Sequence, residues 1–322
     1  MRNNKVIVVG SYNVDMTITT DVFPQAGETV IGNGLTYGHG GKGANQAVSA
    51  ARSGAQATLF AKVGLDPYGE QAVTAMALEG INTKHIQRSS GIPTGMASIT
   101  VNGQGENSIV VVSGANWELS PGEVEHELGL LTDADILLTQ LETPLDSVAT
   151  AIKVAQQKDI TVILNPAPAQ KLPSDLLRDV DIITPNRIEA EMLTGIPISD
   201  EDSLLKAAQV LHTYGINIVI ITLGTQGVFL SLSGESKLIP AINVEAVDTV
   251  GAGDVFNGVL AAHYSDIESI EAVISLAIIA AGLSVTRTGA QTAIPDLETI
   301  EAYQQQHSAS VPGNLMCQTL LL

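Results

Sequence analysis

The chain has 322 residues, with 15 Lys and Arg against 34 Asp and Glu, a formal net charge of −19. Hydrophobic residues make up 45% and charged residues 15%, which excludes a disordered chain and allows a full buried core. The acid excess excludes nucleic acid and anionic membrane as main partners, because both need a basic surface. A polyanion bound here is held by backbone amides and a metal.

Cys317 is the one cysteine, so no internal disulfide forms, and its place near the C-terminus argues against a catalytic thiol. Val6–Val9 is the only apolar run near the N-terminus, too short for a signal-peptide core. The longest uncharged apolar stretch lies between Glu271 and Arg287. A membrane span needs about 20 such residues, so this one reads as a buried helix. The expectation is a soluble, cytoplasmic protein.

In chain order, Val6–Val9 reads as a strand apolar on both faces, and residues 11–40 alternate apolar and polar positions. A helix over Gly43–Ser53, a strand over Thr58–Val63 and a helix over Tyr68–Leu78 follow. Residues 95–113 alternate again, with a hairpin turn in the Val101–Asn107 stretch. The apolar runs then resume at Asp135–Thr139, Thr161–Leu164, Asp181–Thr184 and Ile218–Thr222. Helical periodicity lies over Ser147–Gln157, Asn186–Leu193, Asp202–Tyr214, Asp254–Tyr264 and Ser269–Val285. This alternation predicts an α/β fold, a doubly wound, mostly parallel sheet flanked by helices. Residues 11–40 and 95–113 predict a small antiparallel lid beside it. Residues 1–307 are read as one domain and 308–322 as a C-terminal tail, a candidate for disorder.

In such sheets ligands bind beyond the carboxyl ends of the strands. Those ends carry Gly10-Ser11-Tyr12-Asn13-Val14-Asp15, Gln140-Leu141-Glu142, Asn165-Pro166, Pro185-Asn186 and Leu223-Gly224-Thr225-Gln226-Gly227. Gly38–Asn45 matches G-x-G-x-x-G literally, but it follows an alternating strand, so a dinucleotide fingerprint is not expected. It also lacks the Ser or Thr that Walker A places after Lys42. What remains is a glycine turn opening a helix, either structural or close to a small polar ligand. Asp248-Thr249-Val250-Gly251-Ala252-Gly253-Asp254 leads small residues into an apolar helix, where free N–H groups bind phosphate or a developing oxyanion. Asp254 sits where a helix N-cap would. Alternatively, it accepts a hydroxyl proton beside that anion hole. Asn186 and Glu189 lie one helical turn apart, which suits Mg²⁺ or a capped helix start. The six His residues show no i, i+4 pair, so zinc is not expected.

Together these segments resemble the ribokinase family of carbohydrate kinases over roughly residues 5–300. The two long signatures run from Gly40-Gly41-Lys42-Gly43-Ala44-Asn45-Gln46-Ala47 to Gly64, and from Asp248 to Gly258. Asn165-Pro166-Ala167-Pro168-Ala169 and Thr286-Arg287-Thr288-Gly289-Ala290-Gln291 also stand where members that phosphorylate ribose carry similar phrases. The resemblance implies ATP-dependent phosphorylation of the 5-hydroxyl of D-ribose. Another small sugar (2-deoxyribose or fructose) is the alternative within enzymes, and a non-catalytic sugar sensor the alternative outside them.

The resemblance also implies the roles. Asp254 is the base, and the amides of Gly251, Ala252 and Gly253 stabilise the transferred phosphoryl group. Asn13, Asp15, Gly41, Lys42, Asn45 and Glu142 hold the sugar. Asn186, Thr222, Leu223, Gly224, Thr225, Gln226 and Gly227, with Gly253, hold ATP, and Asn186 and Glu189 serve Mg²⁺. Activating K⁺ falls to a loop of Asp248, Val250, Ser284, Arg287 and Gly289, joined by Ala293 where members often carry Ser. Ile278 is a second departure, at a position that can carry His near the adenine. The family's habit of pairing lids implies a homodimer.

Overall fold

A computed structural model describes residues 4–131 and 133–308. The chain begins with β1 (Lys5–Val9), β2 (Asn13–Thr19), β3 (Gly34–Gly40), α1 (Lys42–Arg52), β4 (Gln56–Gly64), α2 (Pro67–Leu78) and β5 (Ile86–Ser89). It continues with β6 (Gly95–Val101), β7 (Asn107–Val112), α3 (Pro121–Leu130), β8 (Ile136–Thr139), α4 (Leu145–Gln156) and β9 (Thr161–Leu164). Then come α5 (Ser174–Leu177), β10 (Ile182–Ile183), α6 (Arg187–Thr194), α7 (Glu201–His212) and β11 (Ile218–Thr222). The last are β12 (Val228–Leu232), β13 (Glu235–Ile239), α8 (Ala252–His263), α9 (Ile270–Ser284) and α10 (Leu297–Ser308).

The main sheet has nine strands in the order β13-β12-β11-β10-β9-β8-β1-β4-β5. From β11 to β5 every pairing is parallel, while β12 and β13 add an antiparallel edge. Alternation along β1 explains the two helical layers. Val6 and Val8 enter one core with Ala47 and Val48 of α1, Val255 and Val259 of α8 and Ile274 of α9. Ile7 and Val9 enter the other with Val124 of α3, Val148 and Ala151 of α4 and Ala207 of α7. After β1 the chain builds outward through β4, then returns to β8 on the other side, so the order reverses at β1. Crevices for ligands open at such reversals.

A second sheet has the order β3-β2-β6-β7. Two antiparallel pairs, β2/β3 and β6/β7, are joined by a parallel pairing of β2 with β6. The expected hairpin turn closes where Asn102 Oδ1 accepts from the N–H groups of Gln104 (3.0 Å) and Glu106 (2.9 Å). All six residues of β7 are exposed, including Ile109, Val110, Val111 and Val112.

Elements also arise where the sequence reading leaves loops. Ser120 and Glu123 form a capping box that starts α3. The edge hairpin β12–β13 breaks strand–helix alternation, so that alternation gives no sign of it. Helix α10 carries regular structure to Ser308, past the point near Gln304 where the pattern fades in sequence. The expected strand Asp181–Thr184 is reduced to Ile182–Ile183. The expected tail, beyond Ser308, lies outside the described residues. Among those residues no helix is long and apolar enough to cross a membrane.

Candidate active site

The site forms where α1 and α8 begin, above the carboxyl ends of β1 and β8. Gly41 adopts φ +88°, and a Cβ there would lie 2.7 Å from Asn13 N and 2.8 Å from Tyr12 Cα. Only glycine lets the start of α1 press so closely on the start of β2. Ser11 completes the joint: its backbone oxygen accepts from Ala44 N–H at 2.8 Å, and its Oγ donates to Glu142 Oε2 at 2.5 Å. The same carboxylate oxygen accepts from Lys42 N–H at 3.0 Å. Glu142 is thereby held through Oε2 against the positive end of α1.

Helix α8 starts at Ala252, with Gly251 as its N-cap in the left-handed conformation and no side chain capping it. Asp254 is therefore the third helical residue and not the N-cap that its sequence position suggests. Its carboxylate turns to α1 instead. Oδ2 accepts from Asn45 Nδ2 at 3.0 Å and Oδ1 from Gln46 Nε2 at 3.0 Å. Asn45 Oδ1 in turn accepts from Gln291 Nε2 at 3.1 Å. Ser49 Oγ donates to Val255 O at 2.8 Å and fastens the two helices.

Charge is concentrated here. Burial raises the Asp254 carboxyl above the usual carboxylate range, against the lowering effects of Lys42, Asn45 and Gln46. Burial, then the charges of Glu142 and Asp254, push Asp15 up to about 6. Glu189 is also raised, first by burial. Lys42 is raised by Asp254 above all, with Glu142 and Glu189 adding to it, so it stays a cation among carboxylates. Asn13 is buried, and its Oδ1 accepts from Asn116 Nδ2 at 2.9 Å.

Asn186, Thr222 and the turn after β11 lie together. Asn186 bridges to Thr222, and Arg187 Nη2 donates to Gln226 Oε1 at 2.6 Å. Leu223 N–H donates to Gly227 O at 2.8 Å, closing the turn and leaving Gly224, Thr225 and Gln226 exposed. Asn257 joins this region to the start of α8: it accepts from Thr184 Oγ1 at 2.6 Å and donates to Gly253 O at 2.8 Å. Asn186 and Glu189 form a full capping box, in which both Glu189 oxygens accept from Asn186. A carboxylate so occupied fits Mg²⁺ that keeps its own waters and takes most direct ligands from phosphate. Among the described residues no group of three or more His, Cys, Asp or Glu is arranged to hold a metal.

Of the residues expected around K⁺, Asp248 Oδ1 accepts from Val250 N–H at 3.0 Å and Oδ2 from Gly289 N–H at 2.9 Å. Asp248 N–H donates to Val285 O and joins the two loops, while Arg287 N–H donates to Ser284 O within the second. Oxygen donors suit K⁺, but Ala293 is buried and contributes only a methyl group.

Ser11 and Gln140 stand at strand ends and Gln46 in the first glycine signature, but the sequence assigns none of the three a role. Gln46 and Gln140 are wholly buried in the structure, and Gln140 Nε2 donates to Gln46 Oε1 at 2.6 Å. The available signal is a pair of amides, Asn45 and Gln46, on a helix otherwise built from Ala and Val around them.

A family model described as pfkB family carbohydrate kinase matches residues 3–297. The chain is 46% identical over 295 residues to a ribokinase of Haemophilus influenzae, covering 91% of this chain and 96% of that one. It is 36% identical over 299 residues to a deoxyribokinase of Salmonella typhimurium, covering 92% of this chain and 98% of that one. The structure of Arabidopsis thaliana ribokinase complexed with ribose and ATP superposes with a TM-score of 0.85 at 30% identity, covering 94% of this chain and 98% of that one.

Proposed function

The chain belongs to the pfkB family of carbohydrate kinases, and from that premise we propose that it transfers the γ-phosphoryl group of ATP to the 5-hydroxyl of D-ribose, giving D-ribose 5-phosphate and ADP. One observation carries the chemistry: a buried carboxylate, Asp254, gripped by two amide donors in the first turn of a helix that no side chain caps. Asp254 accepts the hydroxyl proton, while the N–H groups of Gly251, Ala252 and Gly253 meet the charge on the phosphoryl group. Asn13, Asp15, Gly41, Lys42, Asn45 and Glu142 hold the sugar. Such a polar set suits several ring hydroxyls and disfavours a nucleoside.

Asn186 and the Thr222–Gly227 turn hold ATP. Asn186 and Glu189 would hold Mg²⁺, which would offset phosphate charge. The loops of Asp248, Val250, Ser284, Arg287 and Gly289 would hold K⁺, which would supply a fixed positive charge beside the anion hole. The cytoplasm, where ATP is made and lone cysteines stay reduced, is the matching compartment.

2-Deoxyribose is the competing substrate, favoured by the likeness to a deoxyribokinase. ATP turnover with D-ribose, 2-deoxyribose, fructose and adenosine, each in K⁺ and then Na⁺, tests the reading. Fast, K⁺-stimulated turnover on ribose supports it. Preference for another sugar moves the error to the pocket around Asp15, Asn45 and Glu142, and ribose binding without turnover favours a sensor.

Asp15 gives the pocket a pH dependence. With its carboxyl raised to about 6 by burial and by Glu142 and Asp254, it is ionised above that pH and protonated below it. Loss of the charged acceptor on acidification weakens hydroxyl binding. The KM for ribose is expected to rise as pH falls through about 6, and Asp15→Asn to flatten that rise at a uniformly higher KM. A wild-type KM constant from pH 7 to 5 would contradict the assignment.

The second sheet acts as a lid and as the contact of a homodimer. Its edge strand β7 leaves Ile109, Val110, Val111 and Val112 exposed on its two faces, and the opposite edge, β3, leaves Leu35 and Tyr37 exposed. Apolar patches of this kind mark association surfaces. Sedimentation is expected to give twice the chain mass, and Val110→Lys to halve it; a wild-type monomer at micromolar concentration would refute the dimer.

A further inference from the structure

Asp254 has two carboxylate oxygens, and their surroundings differ. Oδ2 meets Asn45, one of the sugar-binding candidates, which keeps 6% exposure. Oδ1 meets Gln46, whose side chain points into the interior and is 0% exposed. Each polar end of Gln46 has a partner. Its Nε2 donates to Asp254 Oδ1 at 3.0 Å and to Asn165 Oδ1 at 3.1 Å, and its Oε1 accepts from Gln140 Nε2 at 2.6 Å. Asn165 is held in its turn by donating Nδ2 to Thr184 O at 3.1 Å.

This network fixes the Gln46 amide in one orientation. A flip would set its oxygen against both the Asp254 carboxylate and Asn165 Oδ1, two repulsive contacts in a dry interior. We propose that Gln46 is the positioning residue of the base: it anchors Oδ1 of Asp254 toward the interior and leaves Oδ2 to take the hydroxyl proton, while Asn165 Oδ1 and Gln140 Nε2 hold the two ends of the Gln46 amide. The inference rests on the reading of Asp254 as base. It assigns to Gln46 no contact with sugar or nucleotide.

The same donor stabilises the ionised carboxylate, so its loss changes the base as well as its aim. The charged groups facing Asp254 are Lys42 at the start of α1, Glu142 after β8, Glu189 on α6 and Asp15 on β2. All four stay in place when Gln46 is replaced by an apolar side chain of similar length. A difference between the two enzymes therefore reads Gln46.

The test is the pH profile of kcat at saturating ribose for Gln46→Met and Gln140→Met. Gln46→Met is expected to lower kcat about 10- to 100-fold, to leave the ribose KM within about threefold, and to move the acid limb up by about one pH unit. Gln140→Met is expected to move the limb in the same direction by less. A merely structural role would not move the limb. An acid limb at the wild-type position in Gln46→Met, or a change confined to KM, overturns the proposal. If Gln46→Met does not fold, Gln140→Met decides: an unmoved limb overturns the proposal and a raised one supports it. Asp254→Asn separates the two readings. Near-normal turnover there removes the base itself, whereas an inactive Asp254→Asn beside an unmoved Gln46→Met limb removes only the positioning.

Discussion

Asp254→Asn is expected to lower kcat by about 10²- to 10⁴-fold, the range a positioned general base contributes, while ribose still binds. The side chain keeps its size, so the packing of α8 on α1 survives. What it loses is the ability to accept a proton and one of its two acceptor oxygens. Asn45 and Gln46 both donate to the native carboxylate, so the amide leaves one of them facing an NH₂ group. Single-turnover ATP consumption together with calorimetric ribose binding checks both halves. Turnover within a few fold of wild type would remove Asp254 as the base; lost binding with normal chemistry at saturation would make it a sugar anchor.

Lys42→Met carries the second large effect. Lys42 is the cation that Asp254, Glu142 and Glu189 hold in its charged form. It lowers the carboxyls of Asp254 and Glu189 in return. Without it, only the bonds from Asn45 and Gln46 still oppose burial and the neighbouring carboxylates, and the proton affinity of Asp254 rises. A larger share of the base is then protonated at any given pH, so kcat at pH 7 is expected to fall about 10- to 100-fold and to recover in part as pH rises. The kcat profile from pH 6 to 9 checks this. A loss equal at every pH would assign Lys42 to substrate contact alone.

Much of the site is legible in the sequence because its glycines and carboxylates sit at strand ends. Gly10–Asp15, Gln140–Glu142 and Pro185–Asn186 are adjacent in space once β1, β8 and β10 are parallel neighbours or near neighbours in one sheet. The glycine at 41 is legible for a similar reason, since a turn opening a helix needs one and the close approach to Tyr12 and Asn13 uses it. What sequence spacing cannot express is which side chain turns inward. Asp254 reads as an N-cap by position, yet Gly251 caps the helix and Asp254 faces α1. Gln46 stands in a quoted motif as an unremarkable helix former, and only the packing of α1 on α8 gives it a carboxylate partner. The edge hairpin β12–β13 is hidden for another reason. It pairs locally and antiparallel, outside the strand–helix alternation that identifies the rest.

The most direct measurement is the phosphorus NMR spectrum of the product formed from ATP and D-ribose with K⁺ and Mg²⁺. One phosphomonoester is expected, on the 5-position of ribose, appearing in step with ADP. A phosphate on the anomeric position, or ADP formed without any sugar phosphate, would contradict it.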